Sequence, residues 1–414
     1  MNTDKTTHFM PKNQYTEVSK EITEFVDKYT QDNIGNNANI IIKTFDANHN
    51  RWFHIVPFME DCKGYAEALM RYCIAVDNQP TYESLQKLSS YISEFENYNL
   101  AHHAYRKDLY YSLGIAWHRL GKIYDKFAIE AFKKYIFYLL GLSSHTSYSP
   151  ICYSFRKCTT YLYQSLALEQ LNLSFPCTFN DPFDSPIISL LDKNDEIAML
   201  IKSAYLDCVK ISCFVSNVMQ PFHEDGNILG EIVRDKRKQE DNTSEEFQNE
   251  LMWAHYADYH RGICIKYHFP NSLTSLYSEP GTSVKYFRDV QYKDDLSVLT
   301  EKDSITIEDA FFAKSKAWKY ENELRLILCD PNSTGLYDSI DIPNCIEAIY
   351  FGVNCANKDI KVIREIMKNK ELITKQERIV NDKRETVETR TPISFYQMEF
   401  DSKKFGSLIA KKLQ

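Results

Sequence analysis

The chain has 414 residues, 43% hydrophobic and 26% charged, a balance that places it among globular proteins rather than disordered or fibrous ones. Its formal net charge of −8 argues against a dominant nucleic-acid-binding surface, because an acidic chain offers phosphate little non-specific attraction. No apolar run reaches the roughly 20 residues that span a bilayer, and the polar start Met1-Asn-Thr-Asp-Lys lacks the apolar core of a secretory leader. The length suits two or three domains. Only 12 glycines are present, which favours helices and large cores over Gly-rich nucleotide loops. The 11 cysteines are odd in number and follow no repeating frame, so they read as reduced thiols. A cytoplasmic protein with no metal and no membrane association is expected.

In chain order, an amphipathic helix is expected near residues 17–29, and residues 39–45 read as a strand. From Val56 to Leu142 apolar residues recur at helical spacing, with Gly64, Pro80 and Gly141 between helices. Gly114 and Gly121 are small residues seven apart, which suits close packing of one helix on another. Leu113-Gly114, Trp117, Leu120-Gly121, Ala128 and Phe132 resemble the tetratricopeptide repeat, with about two extra residues between Gly121 and Ala128. Gly64-Tyr65-Ala66-Glu67-Ala68-Leu69 resembles the second helix of another copy. The resemblance implies a helical docking region over residues 1–147 that takes a protein partner. The Ser-rich stretch at 145–150 reads as a linker.

Residues 148–414 are expected to form a mixed domain, making the whole an α+β protein with an N-terminal helical region. Strands are expected at 151–155, 211–215, 262–267, 324–329 and 348–351, and a helix at 354–367. The charged run 231–250 reads as a solvated helix or loop.

Four constellations in this half could carry chemistry. Arg156 ends the first strand. Asn180 and Asp181 sit in the turn Phe179-Asn-Asp-Pro-Phe-Asp184, where Pro fixes φ and Asn or Asp caps the backbone. Trp253, Tyr256 and His260 follow i, i+3, i+7 spacing on an expected helix that Gly262 ends, with His255 and Asp258 beside them. His255 and His260 are five apart, which suits helical metal ligation poorly. Glu321 and Glu323 then lie two residues apart at the start of an apolar strand and would share its face. Lys314, Arg325 or a bound ligand must answer the paired negative charge, and an ion pair made purely for stability is the plain alternative.

Taken in order, Tyr153–Arg156, Phe179–Asp184, Trp253–Gly262 and Lys314–Arg325 resemble a bacterial family, domain-of-unknown-function family 2971, across about residues 150–370. The layout is also similar to that of ADP-ribosyltransferases: a cation on an early strand, a polar aromatic region, and Glu-x-Glu at a late strand. That resemblance implies NAD as substrate, Glu323 as the catalytic carboxylate and Glu321 on the acceptor side. Arg156 would clamp the pyrophosphate, and His255, Tyr256, Asn180 and Asp181 would line the cofactor site. The family's Ser-Thr-Ser strand has no clear counterpart; Ser212 and Ser216 are the nearest candidates. The expected function is a cytosolic bacterial effector that transfers ADP-ribose or cleaves NAD in defence or toxin action. A non-catalytic module sensing a nucleotide or protein is the alternative, and a metal-dependent nuclease using Glu321, Glu323, Asp181 and His255 is the third.

Overall fold

A computed structural model describes residues 12–54, 56, 59–96, 103–142, 151–179, 181, 196–216, 246–270, 283–293, 312–333, 337–380, 383–404 and 406–414. The N-terminal region is helical: α1 (Lys12–Lys28), α2 (Gln31–Phe53), α3 (Met59–Asn78), α4 (Tyr82–Glu96), α5 (His103–Leu120) and α6 (Asp125–Leu142). The strand expected at 39–45 is absent, since those residues lie inside α2. Ile34, Ala38, Ile41, Phe45, His49 and Trp52 are its buried positions, three or four apart, while Ile40 faces solvent. The long helical period outweighs a local run of β-branched residues. Phe45 is the centre of an aromatic core, with the rings of Trp52, Tyr72 and Tyr91 all within 6 Å of its own.

The two glycines expected to pack together do different work. A Cβ on Gly114 would lie 2.6 Å from the Phe132 ring, so its absence lets α5 approach α6. Gly121 instead has φ +142° with nothing near its Cβ position, and it ends α5 ahead of a short 3-10 turn, Lys122–Tyr124.

The second half is built on a sheet. Its elements are β1 (Ile151–Arg156), α7 (Thr160–Leu168), β2 (Gln170–Ser174), α8 (Glu196–Cys208), β3 (Val209–Ser216), α9 (Glu250–Tyr256), β4 (Ile263–His268), β5 (Val284–Asp289), β6 (Gln291–Lys293), β7 (Ala313–Ser315), β8 (Glu323–Cys329), β9 (Tyr337–Asp341), β10 (Ile346–Phe351), α10 (Asn357–Met367), β11 (Glu371–Val380), β12 (Lys383–Pro392), β13 (Ser394–Phe400) and β14 (Leu408–Lys412). Ten of these strands form one sheet in the order β14-β13-β10-β4-β1-β3-β2-β9, with β8 on β3 and β5 on β8. Its pairings are antiparallel except β10 with β13. The chain is therefore α+β, and β1, β3, β4, β8 and β10 coincide with the expected strands. The expected helix at 354–367 starts at Asn357. Residues 231–245 of the charged run lie outside the described residues.

One face of the sheet packs on α7 and α10, and the other packs on α9 through Trp253, Tyr153, Phe155 and Tyr350. The helical region joins the sheet through α8, which packs on α6. Leu200, Tyr205, Ile211, Val284 and Ile327 belong to the same buried cluster as the helical core. The division expected at residue 147 falls in 143–150, outside the described residues. Ten cysteines, Cys62, Cys73, Cys152, Cys158, Cys208, Cys213, Cys264, Cys329, Cys345 and Cys355, form no disulfide. Folding brings together pairs that spacing did not indicate: the Cys158 and Cys355 thiols are hydrogen-bonded, and Cys208 and Cys329 have sulfurs 3.9 Å apart.

The strand ladder is interrupted beside β1. β1 meets β3 only at Cys152–Ser216 and Tyr153–Val215. β2 meets the same edge of β3 only at Ser174–Ile211. Between these contacts residues 212–214 have no ladder partner on that edge, although β8 pairs with the other edge throughout.

Candidate active site

The strands part where β1 diverges from β3, and a cleft of about 450 Å³ opens there. That volume lies within the usual range for small-molecule sites. Arg156, His255, Tyr256, Glu321 and Glu323 all line it, although 167 residues separate the first from the last. Asp181 is buried but is not among the lining residues, and Asn180 lies outside the described residues. Phe179, next to them in sequence, does line the cleft, and its ring sits 5.7 Å from the Arg325 guanidinium.

The two carboxylates converge for a reason other than strand alternation. Glu321 is the last residue of a 3-10 helix, Lys316–Glu321, and only Glu323 is in β8. Asn322 between them adopts a left-handed conformation, φ 43°, which turns the helix into the strand. Asn is one of the few residues that tolerate this. Its side chain donates to the Ser216 carbonyl, and the Ser216 N–H donates back to the Asn322 carbonyl at 2.9 Å. The turn is thus tied to the end of β3.

Lys314, on β7, brings the pair together. Its Nζ donates to Glu321 Oε2 at 2.5 Å and to Glu323 Oε2 at 3.0 Å. Arg325 donates from Nε to Glu323 Oε1 at 2.8 Å and from Nη2 to Oε2 at 3.2 Å. Two buried carboxylates thus meet two buried cations, which is how charges survive out of water. Tyr256 donates from its hydroxyl to Glu321 Oε1, and the Glu323 N–H donates to the Tyr292 hydroxyl at 2.8 Å.

The environments push the two acids apart. Burial raises the pKa of Glu323, but the Arg325 and Lys314 cations outweigh it and bring the group down to about 2. Burial also raises Glu321; Lys314 opposes that and the neighbouring Glu323 charge adds to it, so its pKa ends above the ordinary carboxylate value. Glu323 is therefore a fixed anion, whereas Glu321 is better suited to exchange a proton.

The helix expected to carry Trp253, Tyr256 and His260 is shorter than the spacing implies. α9 ends at Tyr256, and Asp258, Tyr259 and His260 follow with φ of 49°, 55° and 64°. Three successive left-handed residues other than glycine are costly, about 1–2 kcal/mol each. Two glycines hold the turn in place. A Cβ on Gly262 would meet the Arg156 carbonyl at 2.1 Å, and one on Gly352 would meet the His260 carbonyl at 2.2 Å. His260 still stacks on Trp253, with ring planes 11° apart, and burial lowers its pKa. It is not among the residues that line the cleft, which His255 and Tyr256 are.

Three further lining groups carried a weak sequence signal or none. Ser212 is buried and its hydroxyl makes no hydrogen bond. Ser154 accepts from Arg156 Nε at 2.9 Å and so aims that side chain. Lys157 adds a second cation beside Arg156. Adjacency to Arg156 was the one available clue to Lys157. Among the described residues no carboxylate pairs with Arg156 or Lys157, so both remain available to an anion. Also among the described residues, no group of three or more His, Cys, Asp or Glu side chains could hold a metal, and no helix is long and apolar enough to cross a membrane.

Residues 252–326, which hold His255, Tyr256, Glu321 and Glu323, match a family model described as a protein of unknown function, DUF2971. The match is shorter than the stretch over which the motifs resemble that family. No curated protein and no solved structure matches the chain.

Proposed function

We propose that the cleft binds NAD and breaks its nicotinamide–ribose bond, passing ADP-ribose to water or to an acceptor on a target. The observation that carries this reading is the convergence of Arg156, Ser212 and Glu323 from the adjacent strands β1, β3 and β8 on one cleft, with Glu323 ionised at its floor. The ADP-ribosyltransferase layout asks for a cation, a serine strand and a glutamate in that order. As the bond breaks, its electron pair leaves with nicotinamide and positive charge develops on the ribose. A preorganised anion stabilises that charge without reorganising, and Glu323 is held by two cations and its own backbone contact. A hydroxyl of the acceptor then bonds to the ribose carbon and gives up its proton, for which Glu321, with its raised pKa, is the suited acceptor, whereas water attacking in its place releases its proton to solvent. Arg156 takes the pyrophosphate.

On the same reading the helical half is a tetratricopeptide-like docking region of a cytosolic bacterial effector acting in defence or as a toxin. The close approach at Gly114 supports that part, because such repeats carry small residues where helices cross. Glu323→Gln should abolish NAD cleavage, whereas Glu321→Gln should spare NAD hydrolysis and weaken transfer to the acceptor. Nicotinamide release and acceptor labelling measured on both variants decide it, and equal losses would remove the division of roles.

A second reading, a binding module, is favoured by the saturation of both Glu323 oxygens with hydrogen bonds from cations. It predicts NAD binding without turnover. The nuclease reading is the least supported, because the Lys314 ammonium occupies the space between the carboxylates that a divalent ion would need.

A further inference from the structure

A second cavity of about 200 Å³ lies beside the cleft, between β1, β2 and α7. It shares three lining residues with the cleft, Arg156, Lys157 and Asn172. Small-molecule sites usually measure about 300–1,000 Å³, so the smaller cavity is too small to be a site by itself and reads as an extension of the larger. The two differ in character. The floor of the cleft is charged, whereas the small cavity carries an aliphatic wall, with Leu162, Leu166, Leu171 and Ile265 in it, beside polar Thr159 and Gln170. Asn172 stands at the neck and donates from Nδ2 to Ser165 Oγ at 2.8 Å.

We infer that this cavity is a nucleoside-diphosphate subsite, with Arg156 and Lys157 at its neck holding the diphosphate and the aliphatic wall receiving the base. Two adjacent cations that no described carboxylate neutralises suit a group with two phosphates better than one with a single charge. Ser154 holds Arg156 by Nε, which leaves the amino groups of the guanidinium fork to reach phosphate oxygens. A flat base fits a narrow slot with an aliphatic wall, and Asn172 offers its edge a hydrogen-bonding partner. The assignment rests on the proposed NAD reading for its larger half: a dinucleotide would set its reactive riboside over Glu323 and its other nucleoside under α7. It makes the substrate a dinucleotide rather than a mononucleotide.

The test is calorimetric titration of the full chain with ADP, with nicotinamide as comparator for the larger cavity. Two variants accompany the unmutated protein: Ser165→Trp, which fills the small cavity from a half-exposed position on α7, and Arg156→Ala. ADP should bind the unmutated protein and lose about tenfold or more in affinity in each variant, the cost of one charge-assisted contact or of a blocked slot. Nicotinamide affinity should be unchanged by Ser165→Trp. No ADP binding by the unmutated protein overturns the subsite, as does an ADP affinity within about twofold of it in the variants. Should circular dichroism find Ser165→Trp unfolded, Arg156→Ala decides. ADP binding that follows the expectation while NAD stays intact would sink the catalytic reading alone. NAD cleavage with a KM and an ADP affinity that ignore Ser165→Trp would sink the subsite alone.

Discussion

Arg106 in the helical half and Arg325 in the sheet half are both fully buried, and they are accommodated in opposite ways. Arg325 hydrogen-bonds twice to Glu323. Arg106 lies among rings, 5.8 Å from the centroid of Phe95 and 5.6 Å from that of Tyr138, and its Nε and Nη2 make no hydrogen bond. The backbone divides along the same line. Among the described residues, the non-glycine positions with positive φ are Glu169, Asp258, Tyr259, His260, Asn322 and Asn344, all in the sheet half, and the helical half contributes none. The described helical half thus keeps a relaxed backbone but leaves buried polar atoms such as Arg106 Nε without hydrogen bonds, whereas the sheet half pairs Arg325 and strains its backbone to hold polar groups in fixed places. Strain of that kind gathers where a site must be preorganised.

Substitutions at the two arginines test this contrast with the largest effect. Arg325→Met should cost about 3–5 kcal/mol, because it removes one of the two cations that hold the buried Glu323 anion and leaves its Oε1 without that partner. Arg106→Met should change stability by less than about 1.5 kcal/mol, since a similar volume replaces a cation with no carboxylate partner among the described residues. Urea unfolding of both variants measures the difference, and equal losses would erase it.

The glycines come next. Gly262→Ala and Gly352→Ala each drive a methyl into backbone, and each should cost about 3 kcal/mol or more. Gly114→Ala meets only the Phe132 ring, which can shift in part, so a loss of about 1–2 kcal/mol is expected. A Gly114 variant as damaging as the other two would mean that the helical half is no more forgiving.

Opposite substitutions should give small gains in the two halves. Tyr259→Gly relieves a left-handed, exposed residue and should stabilise by about 1 kcal/mol. Gly35→Ala, on the exposed side of α2 where a Cβ would make only an ordinary contact 3.9 Å from Asn78 Oδ1, should stabilise by about 0.5–1 kcal/mol. Thermal unfolding of both variants checks the signs.

The gentlest contrast is in pH. Burial lowers the pKa of His49, His260 and His268, each partly offset by a nearby glutamate. The unfolded chain therefore binds protons more readily than the native protein, and stability should fall as pH drops through about 6.5, the ordinary histidine value. Two of the three lie in the sheet half. Hydrogen exchange at about pH 7.5 and about pH 5.5, either side of that value, should show the loss of protection around each of the three histidines, and unchanged protection there would contradict it.

What is legible in the sequence divides the same way. Periodic burial reveals the helices from α3 to α6 and the apolar strands β1, β3, β4, β8 and β10. It fails at α2, where Ile40, Ile41 and Ile42 imitate a strand over a few residues while the burial pattern that decides the matter runs along the whole helix. The hairpin of β11 and β12 gives no signal because both its faces are largely polar and show no alternation. In the site, Glu321 and Glu323 are neighbours as their spacing suggests, but for a different reason, since Asn322, not strand pleat, brings them together. The turn at 258–260 is equally silent, because nothing in Asp-Tyr-His announces a left-handed backbone that tertiary contacts impose. The gap between β1 and β3 is hidden too: it depends on where two ladders stop, and no single residue encodes that.

On the proposed reading the polar network on the floor of the cleft is a catalyst and not merely a brace. Incubating the unmutated full chain with NAD and following nicotinamide by chromatography tests it most directly. Nicotinamide should appear in step with ADP-ribose, free or attached to protein, and Glu323→Gln should abolish its release while remaining folded. NAD recovered intact after incubation with the folded protein would contradict that reading and leave the cleft a binding site.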